Sequence, residues 1–149
     1  LAFVPDCGFD EPKYIGVAEA ASPNGPFEVA PLPVIDPADD TLPGVLGAGS
    51  VKVLRVDDGF VALQNKIYRD SAGTSRSALF LLKSKDGMRW ESARPAPLLA
   101  PDTGWRKSHV YACDARFREA DSKWYLYYNA RDGWYKAQGR ERIGRLVAG

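Results

Sequence analysis

The amino-acid sequence predicts an all-β fold made of small, repeated four-stranded sheets. Three observations lead to this prediction. Short apolar or alternating runs recur along the chain, separated by turns rich in Gly, Pro, Asn and Asp. No stretch has the 3.6-residue periodicity of an amphipathic helix. The arrangement of strands and turns also repeats along the chain.

The first part of the chain predicts two strands and an irregular connection. Residues Leu1 to Val4 and Tyr14 to Ala20 have strand-like composition. Ser22 to Phe27 predicts a turn, because proline fixes φ and Asn-Gly adopts positive φ easily, and a short arm, Phe27 to Val29, follows. The segment from Pro31 to Pro43 contains four prolines and three acids, which favours an irregular crossing between structural units.

The middle of the chain predicts one complete four-stranded sheet. Tight turns are predicted at Asp57 to Gly59 and at Lys85 to Gly87. A second proline-rich crossing, Arg94 to Asp102, follows the sheet. The four predicted strands are Ser50 to Val56, Phe60 to Tyr68, Ser77 to Leu82 and Met88 to Ser92.

The segment from Gly104 to Asp132 predicts a β-hairpin with a carboxylate near its start. Two aromatic runs flank a polar turn, and Asp114 heads the first run. The second run, Trp124 to Tyr128, is aromatic at nearly every position, which is typical of a strand that neighbouring sheets cover on both faces. A last strand is predicted from Arg142 to Val147.

The predicted strands recur at a fixed distance along the chain, here called the repeat spacing, which is the distance from Ser50 to Asp114. At this spacing Ser50 to Val53 aligns with Asp114 to Phe117, and three more pairs align: Phe60 with Trp124, Asn65 with Asn129, and Leu79 with Ile143. The turn at Ser22 aligns with the turn at Ser84 at a slightly shorter spacing. Repeated four-stranded sheets that bury both faces against their neighbours are typical of a β-propeller.

The strand count predicts only part of such a ring. The chain holds about two and a half blades, whereas a closed propeller has about four to eight. The end blades would therefore expose aromatic faces and an unpaired strand edge. We expect residues 1–149 to form a single partial propeller domain. Its ring is completed either by a second copy, as a homodimer of five blades, or by further sequence of a longer protein.

Composition argues against several classes of partner. The 149 residues are 45% hydrophobic and carry twenty basic and nineteen acidic side chains without long blocks of either sign. We therefore expect neither a nucleic-acid nor a membrane partner. No apolar run reaches the roughly 20 residues of a membrane span, and the first residues lack the pattern of a signal peptide. This slightly favours the cytoplasm and leaves the compartment open.

The sequence predicts neither a metal site nor a cofactor. His109 is the only histidine, and the acids are scattered. Asp57 to Gly59 fits a tight turn better than a calcium loop, and no glycine-rich phosphate loop occurs. Cys7 and Cys113 are the only cysteines, which leaves one long-range disulfide open; Cys113 alternatively fits a small buried thiol.

Three stretches carry a resemblance to a known superfamily. The segments SPNGPF, SKDGMRW and HVYACDARFREADSKWYLYY resemble motifs of the five-bladed propeller glycosidases of the arabinanase, xylosidase and invertase kind. In that superfamily a blade often closes with a Ser-x-Asp-Gly-x-x-Trp turn, and an inner strand opens with an Asp that precedes a Gly-Lys-Trp-Tyr-Leu-Tyr-Tyr strand. The resemblance covers most of the chain from Tyr14 onward. It implies a propeller with a central carbohydrate pocket, and non-catalytic relatives carry such blades too.

The resemblance assigns Asp114 as the candidate catalytic residue. It resembles one of three carboxylates that those enzymes project into the central cavity, as base or nucleophile, pKa-tuning acid and general acid. Ser50 takes the equivalent place one blade earlier, and no following blade supplies a Glu. Glycoside hydrolysis needs two carboxyl groups, about 5 Å apart for retention or about 6.5–9.5 Å for inversion. A partner acid is expected from a second copy or from the N-terminal loop, whose acids, Asp6, Asp10 and Glu11, also fit solvated surface charges.

The candidate substrate-binding residues flank Asp114 and comprise Trp105, Arg106, His109, Tyr111 and Arg116. A sugar site combines an apolar platform with a few polar groups, so Trp105 would stack on a sugar while Arg106 and His109 bond its hydroxyls. In an uninterrupted strand, His109, Tyr111 and Cys113 face away from Asp114, and a bulge would change this. The alternative is structural: Asp114 pairs with Arg116, Trp105 packs between blades and His109 lies on the surface.

The sequence thus leaves three hypotheses about function. The first is a glycoside hydrolase-like protein that acts on a carbohydrate in a central pocket. The second is a non-catalytic module that binds a carbohydrate or another small molecule, which Ser50 favours because an acid is missing at its position. The third is a structural fragment without a ligand.

Overall fold

The computed structural model describes residues 2–7, 12–133 and 139–149. These residues form strands and three short 3-10 turns, with no α-helix among them, so the predicted all-β fold class is confirmed. The strands are β1 (Ala2–Cys7), β2 (Pro12–Glu19), β3 (Glu28–Val29), β4 (Val45–Gly47), β5 (Val51–Val56), β6 (Gly59–Arg69), β7 (Ser75–Ser84), β8 (Glu91–Ser92), β9 (His109–Arg118), β10 (Lys123–Arg131) and β11 (Glu141–Ala148).

The strands form three consecutive antiparallel units. Unit 1 is the three-stranded sheet β1-β2-β3, and unit 2 is the four-stranded meander β5-β6-β7-β8. Unit 3 consists of β9, β10 and β11. One parallel bridge between Ser77 of β7 and His109 of β9 joins units 2 and 3, while short β4 pairs with the end of β6. The complete meander predicted in the middle of the chain is therefore present.

The repeat is visible in the backbone pairing. β6 begins at Gly59 and β10 at Lys123, which preserves the repeat spacing. The first unit preserves the repeat spacing too, because two hydrogen bonds separated by this spacing are equivalent. Ile15 N donates to Ile35 O at 3.0 Å, and Leu79 N donates to Leu99 O at 2.9 Å. The shorter offset of the Ser22 turn therefore arises in the connection after β2 and not in the strands.

Unit 2 is covered on both faces because side chains alternate along its strands. One face contributes Leu63 and Leu79 to a buried cluster with Val110, Leu126 and Tyr128 of unit 3. Residues of the opposite face are buried as well, namely Ala62, Ala78, Phe80 and Leu82. On the side of unit 1, Trp90 meets Phe3 of β1 edge to face, with ring centroids 5.9 Å apart.

Among the described residues, unit 3 is covered on one face only. Leu126, Tyr128 and Ala130 of β10 are buried against unit 2, while Tyr127 and Ile143 on the opposite face are exposed. The prediction that this strand is covered on both faces is therefore wrong for the described part of the chain, in which no further unit lies against the second face. As expected for an incomplete array, unit 1 also exposes apolar side chains at its end, among them Phe27, Val29 and Leu32.

A buried ion pair fastens the first proline-rich crossing to unit 2. Asp40 follows a 3-10 turn at Pro37–Asp39, and its Oδ2 lies 2.6 Å from Lys66 Nζ, with 9% of each side chain exposed. The ammonium of Lys66 also lies over the Phe80 ring, 4.7 Å from its centroid. Removing one partner of a buried pair leaves an uncompensated charge, which is costly.

We predict that Asp40→Asn lowers the free energy of unfolding by about 3–5 kcal/mol. The matched control is Glu91→Gln, since Glu91 forms an exposed pair with Lys83 at 3.2 Å and its loss should cost under about 1 kcal/mol. Chemical denaturation measures both variants. Equal losses in the two variants would show that the Asp40–Lys66 pair does not fasten the crossing.

Candidate functional site

A β-bulge at Ala112 sets the direction in which Asp114 points. Ala112 has a φ of 20°, and the pairing of β9 with β10 shifts register beside it. The extra residue of a bulge reverses the alternation of side chains along a strand. Tyr111 lies opposite Asn129 and Asp114 lies opposite Tyr127, so Tyr111 and Asp114 share one face of unit 3. An uninterrupted strand would have placed them on opposite faces.

Asp114 is held between two cations. Its Oδ1 lies 2.8 Å from Lys52 Nζ and its Oδ2 accepts a 3.1 Å hydrogen bond from Arg116 Nε. The hydrogen bond from Lys52, followed by that from Arg116, lowers the pKa of the Asp114 carboxyl below its usual range. Asp114 is therefore ionised at neutral pH. An ionised carboxylate suits a base, a nucleophile or a hydrogen-bond acceptor, whereas a general acid needs a raised pKa.

The Lys52–Asp114 pair joins the first strands of two units. Lys52 lies on β5 of unit 2 and Asp114 on β9 of unit 3, so the pair marks one edge of the array, here called the inner edge. Lys52 was not among the residues predicted from the sequence. Its alignment with Arg116 at the repeat spacing is the one sequence feature that could have pointed to a cation at this position.

A second carboxylate, Glu141, lies on the same face as Asp114. Asn129 Nδ2 donates to Glu141 Oε1 at 2.6 Å, and Tyr111 also donates a hydrogen bond to this carboxylate. Burial, together with this bond, raises the pKa of Tyr111 to about 12, and the bond from Tyr111 lowers the pKa of Glu141. Sequence analysis missed Glu141, which aligns with buried Ser77 in unit 2.

Asp114 and Glu141 do not supply both roles that hydrolysis needs, because the pKa of each carboxyl is lowered and a general acid needs a raised pKa. Glu141 lies on β11, two strands from β9, near the end of that strand opposite Arg131. Tyr127 of β10 pairs with both Asp114 of β9 and Arg145 of β11, so Asp114 lies level with Arg145, four residues along β11 from Glu141. Standard strand spacings then separate the two acidic Cα atoms by about 16 Å. Both carboxyl groups are ionised at neutral pH, whereas glycoside hydrolysis also needs a protonated general acid, so that acid would have to come from another residue.

Trp105 and Arg106 lie on the other side of unit 3. Trp105 stacks on Tyr128 with centroids 5.9 Å apart and 10° between the rings, and Arg106 Nη1 donates to Tyr128 Oη at 3.0 Å. Arg106 also forms an ion pair with Asp102. Because Tyr128 is buried on the face opposite to Tyr127, these two candidates are not brought together with Asp114. Trp105 packs against the cluster between units 2 and 3, as the structural alternative described.

His109 is buried where units 2 and 3 meet, and not on the surface as the structural alternative expected. Its Nδ1 lies 2.7 Å from Ser108 Oγ. Beside it, the carbonyl of Val110 accepts hydrogen bonds from Asn65 and Ser77 at 3.0 and 2.9 Å. Burial, reinforced by the positive charges of Arg76 and Arg131, lowers the pKa of His109 to about 4. His109 is thus neutral at pH 7.

The remaining residues predicted from the sequence differ in exposure. The Arg116 side chain is 73% exposed. Cys113 is a free, half-buried thiol, and burial raises its pKa to about 11. Asp10 and Glu11 lie outside the described residues, as do the side chains of Asp6 and Cys7.

Metal-ligand clusters and membrane-spanning helices are both absent from the described residues. Within residues 2–7, 12–133 and 139–149, no group of three or more His, Cys, Asp or Glu side chains is arranged to hold a metal ion. The same part of the chain contains no helix long and apolar enough to cross a bilayer.

Solved structures show what this fold is similar to. No protein-family model matches the sequence, and no curated protein matches it significantly. Two solved structures, one described as a complex of BT0996 with RGII and the other as "Glycoside hydrolase", each align with a TM-score of 0.69 and 13% identity. Each alignment covers 89% of this chain and 40% of the other, so the chain spans well under half of those proteins. The chain therefore shares a glycosidase-like all-β fold with part of these structures.

We predict that His109 makes folding stability depend on pH between 7 and 5. The unfolded chain binds a proton near the ordinary pKa of 6.5, whereas folded His109 stays neutral down to about 4. Stability should therefore fall as the pH falls, by about 2 kcal/mol from pH 7 to pH 5.

Urea denaturation at several pH values checks this prediction. His109→Gln should be less stable than the parent at pH 7 but should lose less on acidification. Working above pH 5 keeps most carboxylates ionised. The same slope in both proteins would assign the pH dependence to other groups.

Proposed function

We propose that this chain is part of a glycosidase-like propeller and binds a carbohydrate at the Asp114 face. This name denotes the outer face of unit 3 that carries Tyr111, Asp114, Arg116, Tyr127, Asn129 and Glu141. The observation that carries the proposal is the ionised Asp114, which lies on the inner edge opposite the 44%-exposed ring of Tyr127. The similarity to a structure named a glycoside hydrolase favours carbohydrate as the ligand class.

The chemistry of this face suits a sugar. An exposed aromatic ring offers a platform for the apolar face of a pyranose or furanose, and neighbouring polar groups bond its hydroxyls. Tyr127 would supply the platform in the single chain, where its ring is exposed, while Asp114 would accept a hydrogen bond and Arg116 would donate one. In a completed ring the covering unit would take the place of this platform, as unit 3 covers Leu63, and the polar groups at the inner edge would remain. Trp105 and Arg106 support this face from the opposite side of unit 3, since they contact Tyr128. His109 lies opposite Arg131, at the end of the Asp114 face that adjoins unit 2.

The second hypothesis, binding without hydrolysis, is favoured by the acids of a single chain. Asp114 and Glu141 both have lowered pKa values, and Ser50 occupies the position that corresponds to Asp114 in unit 2. Hydrolysis would require a general acid within about 9.5 Å of Asp114, supplied by a neighbouring unit. We therefore propose binding for the single chain and leave hydrolysis to the completed assembly.

We further propose that a second copy completes the site. In unit 2, Leu63 and Leu79 are covered by unit 3 and are 5% and 0% exposed. Their counterparts at the repeat spacing, Tyr127 and Ile143, are 44% and 72% exposed. Unit 1 of a second copy, which ends in exposed Phe27, offers a matching apolar surface. Covering Ile143 on β11 would leave Asp114, two strands away on the inner edge, as the wall of a pocket.

We predict that Asp114→Asn weakens oligosaccharide binding by roughly 10- to 100-fold, because it removes a hydrogen bond to a charged acceptor. Asp57→Asn is the matched control, since Asp57 lies in the turn between β5 and β6 and is exposed. Calorimetry on an oligosaccharide panel measures binding, and aryl glycosides report hydrolysis.

The outcomes separate the hypotheses. Hydrolysis by the parent that is lost in Asp114→Asn identifies a glycoside hydrolase. Binding without hydrolysis, weakened in the same variant, identifies a binding module. If Asp114→Asn behaves like Asp57→Asn in both assays, Asp114 is not part of the site.

A further inference from the structure

An apolar cavity of about 410 Å³ lies in the seam between units 2 and 3. Unit 2 contributes Leu54, Leu63 and Leu81 to its lining, and unit 3 contributes Ala115, Leu126 and Leu146. Protein interiors are close-packed, so lining atoms without neighbours lose favourable contacts. The size is within the range of about 300–1,000 Å³ that holds organic ligands. The cavity is therefore suited to an apolar group of substantial size.

The corresponding place in the seam between units 1 and 2 contains an aromatic side chain. There, Trp90 packs edge to face against Phe3. Phe3 pairs with Val17 as Leu63 pairs with Leu81. The carbonyls of Val17 and Leu81 also accept equivalent 2.9 Å bonds, from Ala30 N and Ala93 N. Phe3 is thus the counterpart of Leu63, and the cavity beside Leu63 corresponds to the place of Trp90.

A tight turn after β7 positions Trp90 in the seam between units 1 and 2. Ser84 Oγ accepts from Gly87 N at 2.9 Å, and Asp86 Oδ1 accepts from the amides of Met88 and Arg89 at 2.8 and 2.9 Å. Trp90 Nε1 then donates to Gly87 O at 3.0 Å. β8 follows and pairs with β7, Ser92 opposite Leu82 and Glu91 opposite Lys83.

β11 offers the same attachment point. At the repeat spacing, Leu146 and Val147 correspond to Leu82 and Lys83, and Ala148 corresponds to Ser84. Among the described residues, β11 pairs with β10 alone, so its other edge is open. Leu146 also lines the cavity. A strand added at this edge would therefore lie next to the cavity, as β8 lies next to Trp90.

We propose that the seam cavity binds the aromatic side chain of a peptide segment that adds to β11 as a short strand. The segment has the chemistry of Ser84–Ser92, a Ser-x-Asp-Gly-x-x-Trp turn followed by two paired residues. Backbone hydrogen bonds to an open edge give affinity, and a pocket for one side chain gives specificity. The inference does not depend on the carbohydrate proposal, because the cavity and the Asp114 face lie on opposite sides of unit 3.

The first experiment extends the full chain after Gly149 with the sequence of residues 86–92, Asp-Gly-Met-Arg-Trp-Glu-Ser, and changes Ala148→Ser to restore the turn hydroxyl. We expect the Tm to rise by about 5 °C. Amide hydrogen exchange at the open edge of β11 should slow at least tenfold. The control carries the same extension with alanine in place of its tryptophan and should lose most of the Tm gain. Equal Tm values for the two extended chains would overturn the proposal.

The second experiment leaves the chain unchanged. A synthetic peptide with the sequence of residues 84–92, SKDGMRWES, is titrated into the protein and compared with its Trp→Ala form. The proposal expects binding that weakens at least tenfold without the indole, together with slower hydrogen exchange in β11. Absence of binding, or equal binding of both peptides, contradicts it.

Discussion

Every sheet of this protein needs cover on both of its faces, and this requirement organises the rest of the structure. Unit 2 meets it, because unit 1 and the first crossing lie on one side and unit 3 on the other. Leu79 and Ile143 occupy the same position in consecutive units, yet one is fully buried and the other is 72% exposed. The difference comes from neighbours and not from the side chains, since both are large aliphatic residues. The open face of unit 3 therefore exposes an aliphatic side chain at a position that is fully buried in unit 2.

The same geometry gives the Asp114 face its chemical character. First strands of successive units lie along the inner edge, where Lys52 of one unit reaches Asp114 of the next. The bulge at Ala112 brings Tyr111 and Asp114 to one face and leaves Tyr128 on the other, packed under Trp105. One face of unit 3 thus combines the charge of Asp114 with an aromatic surface, while its opposite face packs against unit 2. Both carboxyl groups of this face, Asp114 and Glu141, have lowered pKa values, so the face offers hydrogen-bond acceptors but not the general acid that hydrolysis also requires.

Local patterns in the sequence were sufficient for most of the strands, the turns and the repeat, whereas short β4 was not predicted. Proline and Asn-Gly or Asp-Gly fixed the turns, as in Ser84–Gly87, where the Asp86 carboxylate accepts backbone amides. Side-chain direction beyond Ala112 was not predictable, because this bulge carries no glycine or proline to mark it. Lys52, Glu141 and the Lys66–Asp40 pair depend on contacts between strands far apart in sequence. Burial of His109 likewise follows from the junction of two units and leaves no local trace.

We propose that the open face of unit 3 and the apolar end of unit 1 pack against each other when two copies close one ring. Sedimentation equilibrium of the 16.4 kDa chain and of its Ile143→Asp variant decides this. The parent is expected to self-associate to about twice the chain mass and the variant to stay monomeric, because a charge on that face would be buried without a partner. A parent chain that stays monomeric at all concentrations, unfolds in one cooperative step and matches the variant would contradict it.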